Sequence, residues 1–414
     1  MQNFNDLGLH PQILSNLEAK GYLNPTPIQE QSIPVLLKGA DLFGIAQTGT
    51  GKTAAFSLPI IDYLINHPKR RNAKAPRVLI LAPTRELSSQ IKDNITDYSK
   101  ELDLTSAVIF GGVGQASQVK ALRSGLDILV ATPGRLLDLM NQGHLSLSNV
   151  EVFVLDEADR MLDMGFIHDI KKIIPKIPKE RQTLLFSATM PKTIEALARE
   201  LLKSPKKVEV TPPSSTVDKI EQKVIMCMKG AKYNLLRQVV KENEIELALI
   251  FSRTKHGANR IAEFLQKMDI PSAAIHGNKS QNNRELALSN FKSGKIKFLV
   301  ATDIAARGID VEGVSHVINF DVPVDAESYV HRIGRTARAG REGMAFTFCD
   351  DTEKDSLKRI EKLIKKILPK EDFVEDPAER KLRNREAAKS VAPSKRPAQD
   401  PKKPKVGYRF RNRR

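Results

Sequence analysis

The stretch from Ala46 to Thr53, AQTGTGKT, carries the residue types of a loop that binds phosphate groups. A short apolar run precedes it and a helical pattern follows, which is the context that such a loop requires. Gly49 and Gly51 allow backbone N–H groups to turn toward phosphate oxygens at a helix N-terminus. Lys52 can reach the terminal phosphates, and the Thr53 hydroxyl can bind Mg²⁺. The first position is alanine where the general pattern has glycine, so a chance glycine-rich turn remains an alternative for this loop alone.

A group of carboxylates, DEAD at Asp156 to Asp159, follows the apolar run VFVL. In an open α/β sheet, ligands bind beyond the carboxyl ends of the strands. Asp156 is therefore placed to hold Mg²⁺, and Glu157 to orient and deprotonate an attacking water. Asp159 lies where it can link this segment to neighbouring loops. The alternative, a solvated acidic turn, is disfavoured by the phosphate loop upstream. The predicted metal site comprises Thr53, Asp156 and Glu157.

The two motifs together, A-x-T-G-x-G-K-T and D-E-A-D, resemble those of the DEAD-box ATP-dependent RNA helicases of superfamily 2. Alanine at the first loop position is usual in that family, so Ala46 fits the resemblance. The resemblance extends over roughly residues 1–350, with the motifs in the family's order. It implies two RecA-like domains that use ATP and Mg²⁺ and act on RNA. The compact core with a short basic tail resembles bacterial RhlE-like members.

The segment GYLNPTPIQEQSIP, residues 21–34, resembles the family's glutamine motif. The resemblance assigns adenine recognition to Gln29, and a carboxamide can pair with adenine N6 and N7. Phe4 stands where the family places an aromatic ring that stacks on the base, and Thr26 shapes the loop. The motif therefore predicts ATP rather than GTP. The predicted nucleotide-binding residues are Phe4, Thr26, Gln29, Ala46, Gln47, Thr48, Gly49, Thr50, Gly51, Lys52, Thr53, Asp303, Arg335 and Arg338.

Arginines in the second half can complete this site. In HRIGRTARAG, residues 331–340, Arg335 and Arg338 are three positions apart and point the same way on a helical turn. Two guanidinium groups there can reach the γ-phosphate when a cleft closes, and the resemblance assigns them that role. Without the resemblance, a solvated basic helix face remains open. The predicted catalytic residues are Lys52, Asp156, Glu157, Arg335 and Arg338.

Other motifs are expected to couple hydrolysis to RNA. Ser187 and Thr189 of SATMP carry short hydroxyls that can bridge the DEAD carboxylates to neighbouring loops. The resemblance gives this motif a role in coupling hydrolysis to unwinding, and it implies that His331 links to the DEAD motif or to the RNA side. The predicted coupling residues are Asp159, Ser187, Thr189 and His331.

Loops after the predicted strands favour contacts with the RNA backbone, because they mix turn residues with hydroxyls or arginine. Aromatic residues make up 5% of the chain and tryptophan is absent, so sequence-independent binding is expected. By resemblance, contact with the ribose 2′-hydroxyl favours RNA over DNA. The motif at residues 301–310 resembles the one that links nucleotide and RNA, and Asp303, counted among the nucleotide-binding residues, can accept a hydrogen bond from a ribose. The predicted RNA-binding residues are Pro83, Thr84, Arg85, Gly112, Thr132, Pro133, Gly134, Arg135, Arg253, Gly277, Gln281, Arg284, Thr302 and Gly308.

The elements that must position these residues are short runs that are apolar throughout, alternating with helical patterns. Such runs are typical of parallel strands covered on both faces, so two consecutive α/β domains with doubly wound, mostly parallel sheets are predicted. A Pro- and Ser-containing stretch indicates a linker between them. The predicted division is 1–207 for the first domain, 208–219 for the linker, 220–370 for the second domain and 371–414 for a disordered basic tail.

Composition sets further limits. The 414 residues carry a formal net charge of +17, and residues 380–414 hold 14 Lys and Arg against 2 acidic residues. This tail favours a polyanionic partner and is expected to tether RNA, although a solubilising tail remains an alternative. No apolar run is long enough to span a membrane, and the N-terminus does not resemble a secretory signal. Cys227 and Cys349 are predicted to be unpaired thiols in a reducing compartment, which indicates a cytoplasmic protein.

These patterns predict an ATP-dependent RNA helicase, expected to be a monomer, that unwinds RNA duplexes when ATP and RNA close its two domains. One alternative is an ATP-gated RNA clamp or a remodeller of RNA–protein complexes with little unwinding. A second is a DNA translocase of the same superfamily. Ribosomal particles and RNA-decay proteins are candidate partners, and the sequence does not choose between these pathways.

Overall fold

Two seven-stranded sheets, each wholly parallel, dominate the computed structural model. The structure describes residues 3–47, 49–210, 220–306, 311, 313–337, 342–377 and 380. Within those residues, no helix has the length and apolar character needed to cross a bilayer. Both cysteines are free thiols.

The first sheet has the strand order β3-β4-β2-β5-β6-β1-β7. Its strands are β1 Leu42–Ile45, β2 Val78–Leu81, β3 Ser106–Ile109, β4 Ile128–Ala131, β5 Val152–Leu155, β6 Gln182–Ser187 and β7 Lys206–Glu209. Its helices are α1 Pro11–Ala19, α2 Pro27–Leu37, α3 Lys52–Asn66, α4 Arg85–Tyr98, α5 Ala116–Arg123, α6 Pro133–Asn141, α7 Ala158–Asp163, α8 Ile167–Ile173 and α9 Lys192–Leu201, with short 3-10 helices at Phe4–Leu7 and Ile174–Lys176.

The second sheet repeats this order as β10-β11-β9-β12-β13-β8-β14. Its strands are β8 Ile220–Met226, β9 Ala248–Phe251, β10 Ser272–Ile275, β11 Phe298–Ala301, β12 His316–Asn319, β13 Gly343–Cys349 and β14 Lys370–Asp372. Its helices are α10 Lys232–Glu242, α11 Lys255–Gln266, α12 Gln281–Lys292, α13 Asp303–Ala306, α14 Ala326–Ile333 and α15 Lys354–Ile364, with 3-10 helices at Lys229–Ala231 and Asp351–Glu353. The two halves therefore share one topology, although their sequences show no clear repeat.

The central strands are buried on both faces, as their unbroken apolar runs predict. β2, β4 and β5 are fully buried, and their side chains divide between two apolar clusters, one on each face of the sheet. The second sheet is covered in the same way. This arrangement places the loops after the central strands at the carboxyl edge of each sheet, where the predicted motifs lie.

The domain boundaries differ slightly from those predicted. β7 continues to Glu209, two residues into the predicted linker, because it pairs with β1. β14 continues to Asp372, past the predicted start of the tail, because it pairs with β8. Phe373 then packs against the second domain's core, and Glu375 accepts a hydrogen bond from Asn234 at 2.8 Å. Strand pairing thus extends two residues beyond each of these two predicted boundaries. Residues 211–219 and 381–414 lie outside the described residues.

Candidate active site

The phosphate loop lies between β1 and α3 and is held closed by its own contacts. Gly51 adopts φ 92°, and a Cβ there would collide with the side chains of Gln29 and Thr26, so only glycine fits. Lys52 begins α3 with a buried side chain, and its Nζ donates to the carbonyl oxygen of Ala46 at 2.6 Å. The Thr50 hydroxyl donates to the Gln47 carbonyl at 2.7 Å. Thr48 lies outside the described residues.

Gln29 joins the glutamine motif to the phosphate loop. Its Oε1 accepts from the backbone N–H of Thr26 at 2.9 Å, and its Nε2 donates to the Gly51 carbonyl at 3.1 Å. This carboxamide therefore fixes the start of α2 against the loop, a role that the sequence did not reveal. Phe4 is buried beside it, and both line one cavity of about 540 Å³. The cavity also reaches Gly49, Gly51, Lys52, Thr53, Asp156 and Glu157.

Asp156 and Glu157 follow β5 and are both buried. One oxygen of Asp156 accepts from the Glu157 N–H at 2.9 Å. Burial raises the pKa of Asp156 to about 7, against the lowering effect of Lys52. Glu157 adopts φ 53°, a left-handed conformation that is uncommon for a residue with a side chain and frequent at functional sites.

The donors around this cavity fit Mg²⁺ bound together with a phosphate. Two buried carboxylates and the Thr53 hydroxyl offer the oxygen atoms that this ion prefers. No group of three or more His, Cys, Asp or Glu placed to hold a metal occurs among the described residues.

The DEAD segment contacts the SAT segment through Asp159. Its Oδ2 accepts from the Thr189 hydroxyl at 2.9 Å and from the N–H groups of Thr189 and Ala188 at 2.8 and 3.1 Å. Ser187 is fully buried, but its hydroxyl makes no hydrogen bond within the described part of the chain. The bridge expected from the two hydroxyls is thus formed by Thr189.

A cavity of about 190 Å³ lies between the two domains. Its first-domain wall includes Asp159 and Arg160, and its second-domain wall includes His331 and Arg335. Arg335 is buried, and its Nε donates to the His331 carbonyl at 3.2 Å. Burial, with the positive charges of Arg160 and Arg335, lowers the pKa of His331 to about 4. This part of the second domain therefore faces the DEAD motif; Arg338 lies outside the described residues.

Asp303 is occupied by an ion pair. Its two oxygens accept from Arg332 Nε and Nη2 at 2.6 and 2.7 Å. The Arg332 guanidinium also donates to the Asp321 carbonyl and lies 4.9 Å from the Phe251 ring centre. The contact with a ribose that was predicted for Asp303 would have to share a carboxylate already bound on both oxygens.

Four of the side chains at the start of α4 and α12 meet across the cleft. Arg85 Nη1 donates to Gln281 Oε1 at 3.3 Å. Arg284 lies 2.8 Å from Glu86; the Glu86 side chain is buried and that of Arg284 is largely buried. Burial, with the charge of Arg284, lowers the pKa of Arg85. Three predicted RNA-binding residues thus gather at one place together with Glu86, which the sequence reasoning missed although it stands next to Arg85.

The other predicted RNA-binding residues are spread along the same loops. Thr84 is the N-cap residue of α4 and follows Pro83. Thr132 is the N-cap residue of α6 and precedes Pro133. Arg135 donates to the Val113 carbonyl at 3.0 Å.

Gly112 adopts φ 77° directly against the Arg85 guanidinium, whereas Gly134 and Gly277 border open space. In the second domain, Arg253 is held by Glu353 at 2.5 Å. Thr302 follows β11, and Gly308 lies outside the described residues.

Family models match both halves of the chain. Residues 26–197 match the model described as DEAD/DEAH box helicase, and residues 231–340 match that of the helicase conserved C-terminal domain. The "ATP-dependent RNA helicase DeaD" of Buchnera aphidicola subsp. Acyrthosiphon pisum (strain APS) is 45% identical over 367 residues. That match covers 88% of this chain and 60% of the relative, so the chain spans less than two thirds of that protein's length.

Solved structures with the same fold include two of Dbp5 from S. cerevisiae. Dbp5 bound to RNA and ADP BeF3 is 31% identical with a TM-score of 0.79, and the match covers 93% of this chain and 99% of that one. A Dbp5 variant bound to Nup159, Gle1, IP6 and ADP is 30% identical with a TM-score of 0.61, covering 92% of this chain and 100% of that one. The likeness is greater to the form that holds RNA.

Proposed function

Because the chain belongs to the DEAD-box RNA helicases, we propose that it is an RNA-stimulated ATPase that unwinds RNA duplexes locally. The observation that carries this proposal is the cleft in which His331 and Arg335 of the second domain face the DEAD motif of the first. A site that is divided between two domains is complete only when the domains are closed. RNA that favours closure therefore also favours hydrolysis.

On the nucleotide side, Lys52 must exchange the Ala46 carbonyl for phosphate oxygens when ATP binds. Thr53 and Asp156 would hold Mg²⁺, which would neutralise charge on the phosphates. Burial raises the pKa of Asp156, and a cation bound beside this carboxylate would lower that pKa and favour its charged form. Glu157 orients the attacking water and accepts its proton.

On the second-domain side, Arg335 and Arg338 bring positive charge to the γ-phosphate. Arg335 is buried on the wall of the interdomain cavity, so closure desolvates its charge and strengthens its effect on the transition state. Asp159 links this region to the SAT segment through Thr189. A shift of the second domain therefore acts on both segments at once.

The RNA side uses the same closure. Arg85, Gln281 and Arg284 are predicted to bind RNA, and in this structure they also join the two domains. A strand bound along these loops contacts both domains and favours the closed form. In this proposal, closure bends the bound strand along a path that a duplex cannot follow, so the complementary strand is released and the duplex unwinds locally.

A Glu157→Gln variant tests the hydrolysis part of the proposal. We expect ATP and RNA binding to persist while RNA-stimulated ATPase activity falls at least a hundredfold, the loss typical of removing a general base. The wild-type protein should displace a short RNA strand at saturating ATP. ATPase activity without displacement would favour the clamp, and equal stimulation by single-stranded DNA would favour the DNA translocase.

The basic tail supplies a second test. Residues 377–414 lie almost wholly outside the described residues, and their charge favours a non-specific tether to RNA. Deleting them should weaken RNA affinity and reduce its dependence on salt, with little change in ATPase activity without RNA. An unchanged RNA affinity at low and high salt would contradict the tether. RNA crosslinked in cells to the Glu157→Gln variant would distinguish ribosomal from RNA-decay partners and test the proposed cytoplasmic location.

A further inference from the structure

Arg160, the residue directly after the DEAD segment, forms a buried ion pair with Glu157. Its Nη1 lies 3.1 and 3.3 Å from the two carboxylate oxygens. Both side chains are about 4% exposed. A charge-assisted contact of this burial strongly restricts the rotation of the Glu157 carboxylate.

The ion pair between Arg160 and Glu157 uses only one nitrogen of the guanidinium, unlike the ion pair between Arg77 and Glu151 in the same domain. Arg77 binds Glu151 with two nitrogens, Nε and Nη2, each 2.9 Å from a different oxygen. Arg160 offers a single nitrogen to both oxygens of Glu157. Its Nη2 is buried and makes no hydrogen bond within the described residues. Buried donors left in this condition are rare and call for an explanation.

The surroundings of Arg160 connect it to domain closure. Its guanidinium lines the interdomain cavity together with His331 and Arg335 of the second domain. Arg160 therefore borders both the carboxylate that the proposed reaction needs and the wall that closure supplies.

The backbone conformation of Glu157 differs from that of the strand before it and the helix after it. At φ 53° this residue stands outside regular helix geometry, just before α7 begins. The usual rotamer preferences of helix and strand do not apply there. Arg160, one helical turn further on, is placed to select one orientation of the carboxylate.

We propose that Arg160 is a positioning residue that fixes the Glu157 carboxylate toward the attacking water and so sets the rate of hydrolysis. This inference rests on the proposed role of Glu157 as the base. Arg160 acts through Glu157 and does not itself touch the reacting atoms. Its effect must therefore disappear when Glu157 is no longer able to accept a proton.

The test is a double-mutant cycle with Arg160→Gln and Glu157→Gln, measured as single-turnover hydrolysis of radiolabelled ATP with saturating RNA. Arg160→Gln should lower kcat roughly tenfold to a hundredfold, the effect of one charge-assisted hydrogen bond, with KM for ATP changed less than about threefold. The double variant should hydrolyse within about threefold of Glu157→Gln alone. Arg160→Lys, which keeps the charge, should recover part of the rate.

Two controls separate a specific effect on hydrolysis from a general loss of stability. Arg77→Gln removes a similarly buried arginine far from the cleft and should leave kcat unchanged. Thermal melting of Arg160→Gln and Arg160→Lys identifies a folding defect. A wild-type kcat in a folded Arg160→Gln variant, or losses that multiply in the double variant, would overturn the inference. A wild-type rate in Glu157→Gln alone would instead overturn the proposed function.

Discussion

Removing the charge of Arg284 should hold the two domains apart. Arg284 and Glu86 form an ion pair at 2.8 Å across the cleft, with side chains 11% and 5% exposed. When the domains separate, both groups return to water, so the substitution Arg284→Gln penalises only the closed form. Removing one partner of a buried pair typically costs about 3–5 kcal/mol.

The geometry of this pair places the expected cost below that range. Arg284 Nε and Glu86 Oε1 make no hydrogen bond of good geometry in the described residues, so the ion pair is not supported by a fork of parallel bonds. We therefore expect about 2–3 kcal/mol, which is roughly a 30- to 150-fold shift of the closing equilibrium toward the open form. ATP binding to the first domain alone should not change.

The assay is energy transfer between dyes placed on the two domains, titrated with RNA at saturating non-hydrolysable ATP analogue. At saturating RNA, where the predicted RNA contact of Arg284 does not limit binding, Arg284→Gln should shift the closing equilibrium toward the open form by the predicted factor. The charge-exchanged pair Glu86→Arg with Arg284→Glu should recover part of the loss. Arg199→Gln is the matched control, since that arginine pairs with Glu195 at an exposed site on α9. A change below about threefold in Arg284→Gln would refute the reasoning, because a surface pair contributes that little.

Three further predictions concern the loop, the second domain and pH. Gly51→Ala should weaken ATP binding at least tenfold in a fluorescent-nucleotide titration, because the added Cβ collides with Gln29 and the backbone φ of 92° is strained for alanine. The control variant Gly277→Ala should bind ATP normally, because its Cβ would lie in open space. Lys232→Met should lower the melting temperature of the second domain by several degrees, since it removes the charge that Lys232 brings to the buried Glu353 carboxylate at 2.6 Å. His331 has its pKa lowered to about 4 in the closed form, against 6.5 ordinarily. Closure should therefore weaken as pH falls below about 6.5, by up to tenfold per pH unit, and the difference in RNA affinity between wild type and His331→Asn should report it.

The central strands could be predicted from the sequence because short, unbroken apolar runs are typical of strands buried on both faces. β2, β4 and β5 lie where those runs are, and the motifs follow them at the carboxyl edge as parallel sheets require. The edge strands were not predictable in this way. The sequence of β7 is KKVE and that of β14 is KED, and such charged segments lack the apolar pattern that predicts a strand.

The partners of individual side chains were harder to predict than their positions. Arg85 and Gln281 could both be named from their motifs, but their contact depends on how the domains meet. Asp303 was predicted to accept a hydrogen bond from a ribose, and its pairing with Arg332 through both oxygens was not foreseen. Arg160 was overlooked because a single arginine after three carboxylates has no pattern of its own. Such pairings are tertiary facts, and residue type alone does not encode them.

The last strand on one side of each sheet has a consequence for solubility. β7 and β14 are only four and three residues long and carry lysines and carboxylates with exposed side chains. Short, charged edges of this kind offer a poor template for a strand from another molecule. The proposed function requires the two domains to separate repeatedly, and each separation exposes the two faces of the cleft to solvent. Because these edge strands pair poorly with other strands, the domains can open without promoting aggregation between copies of the protein.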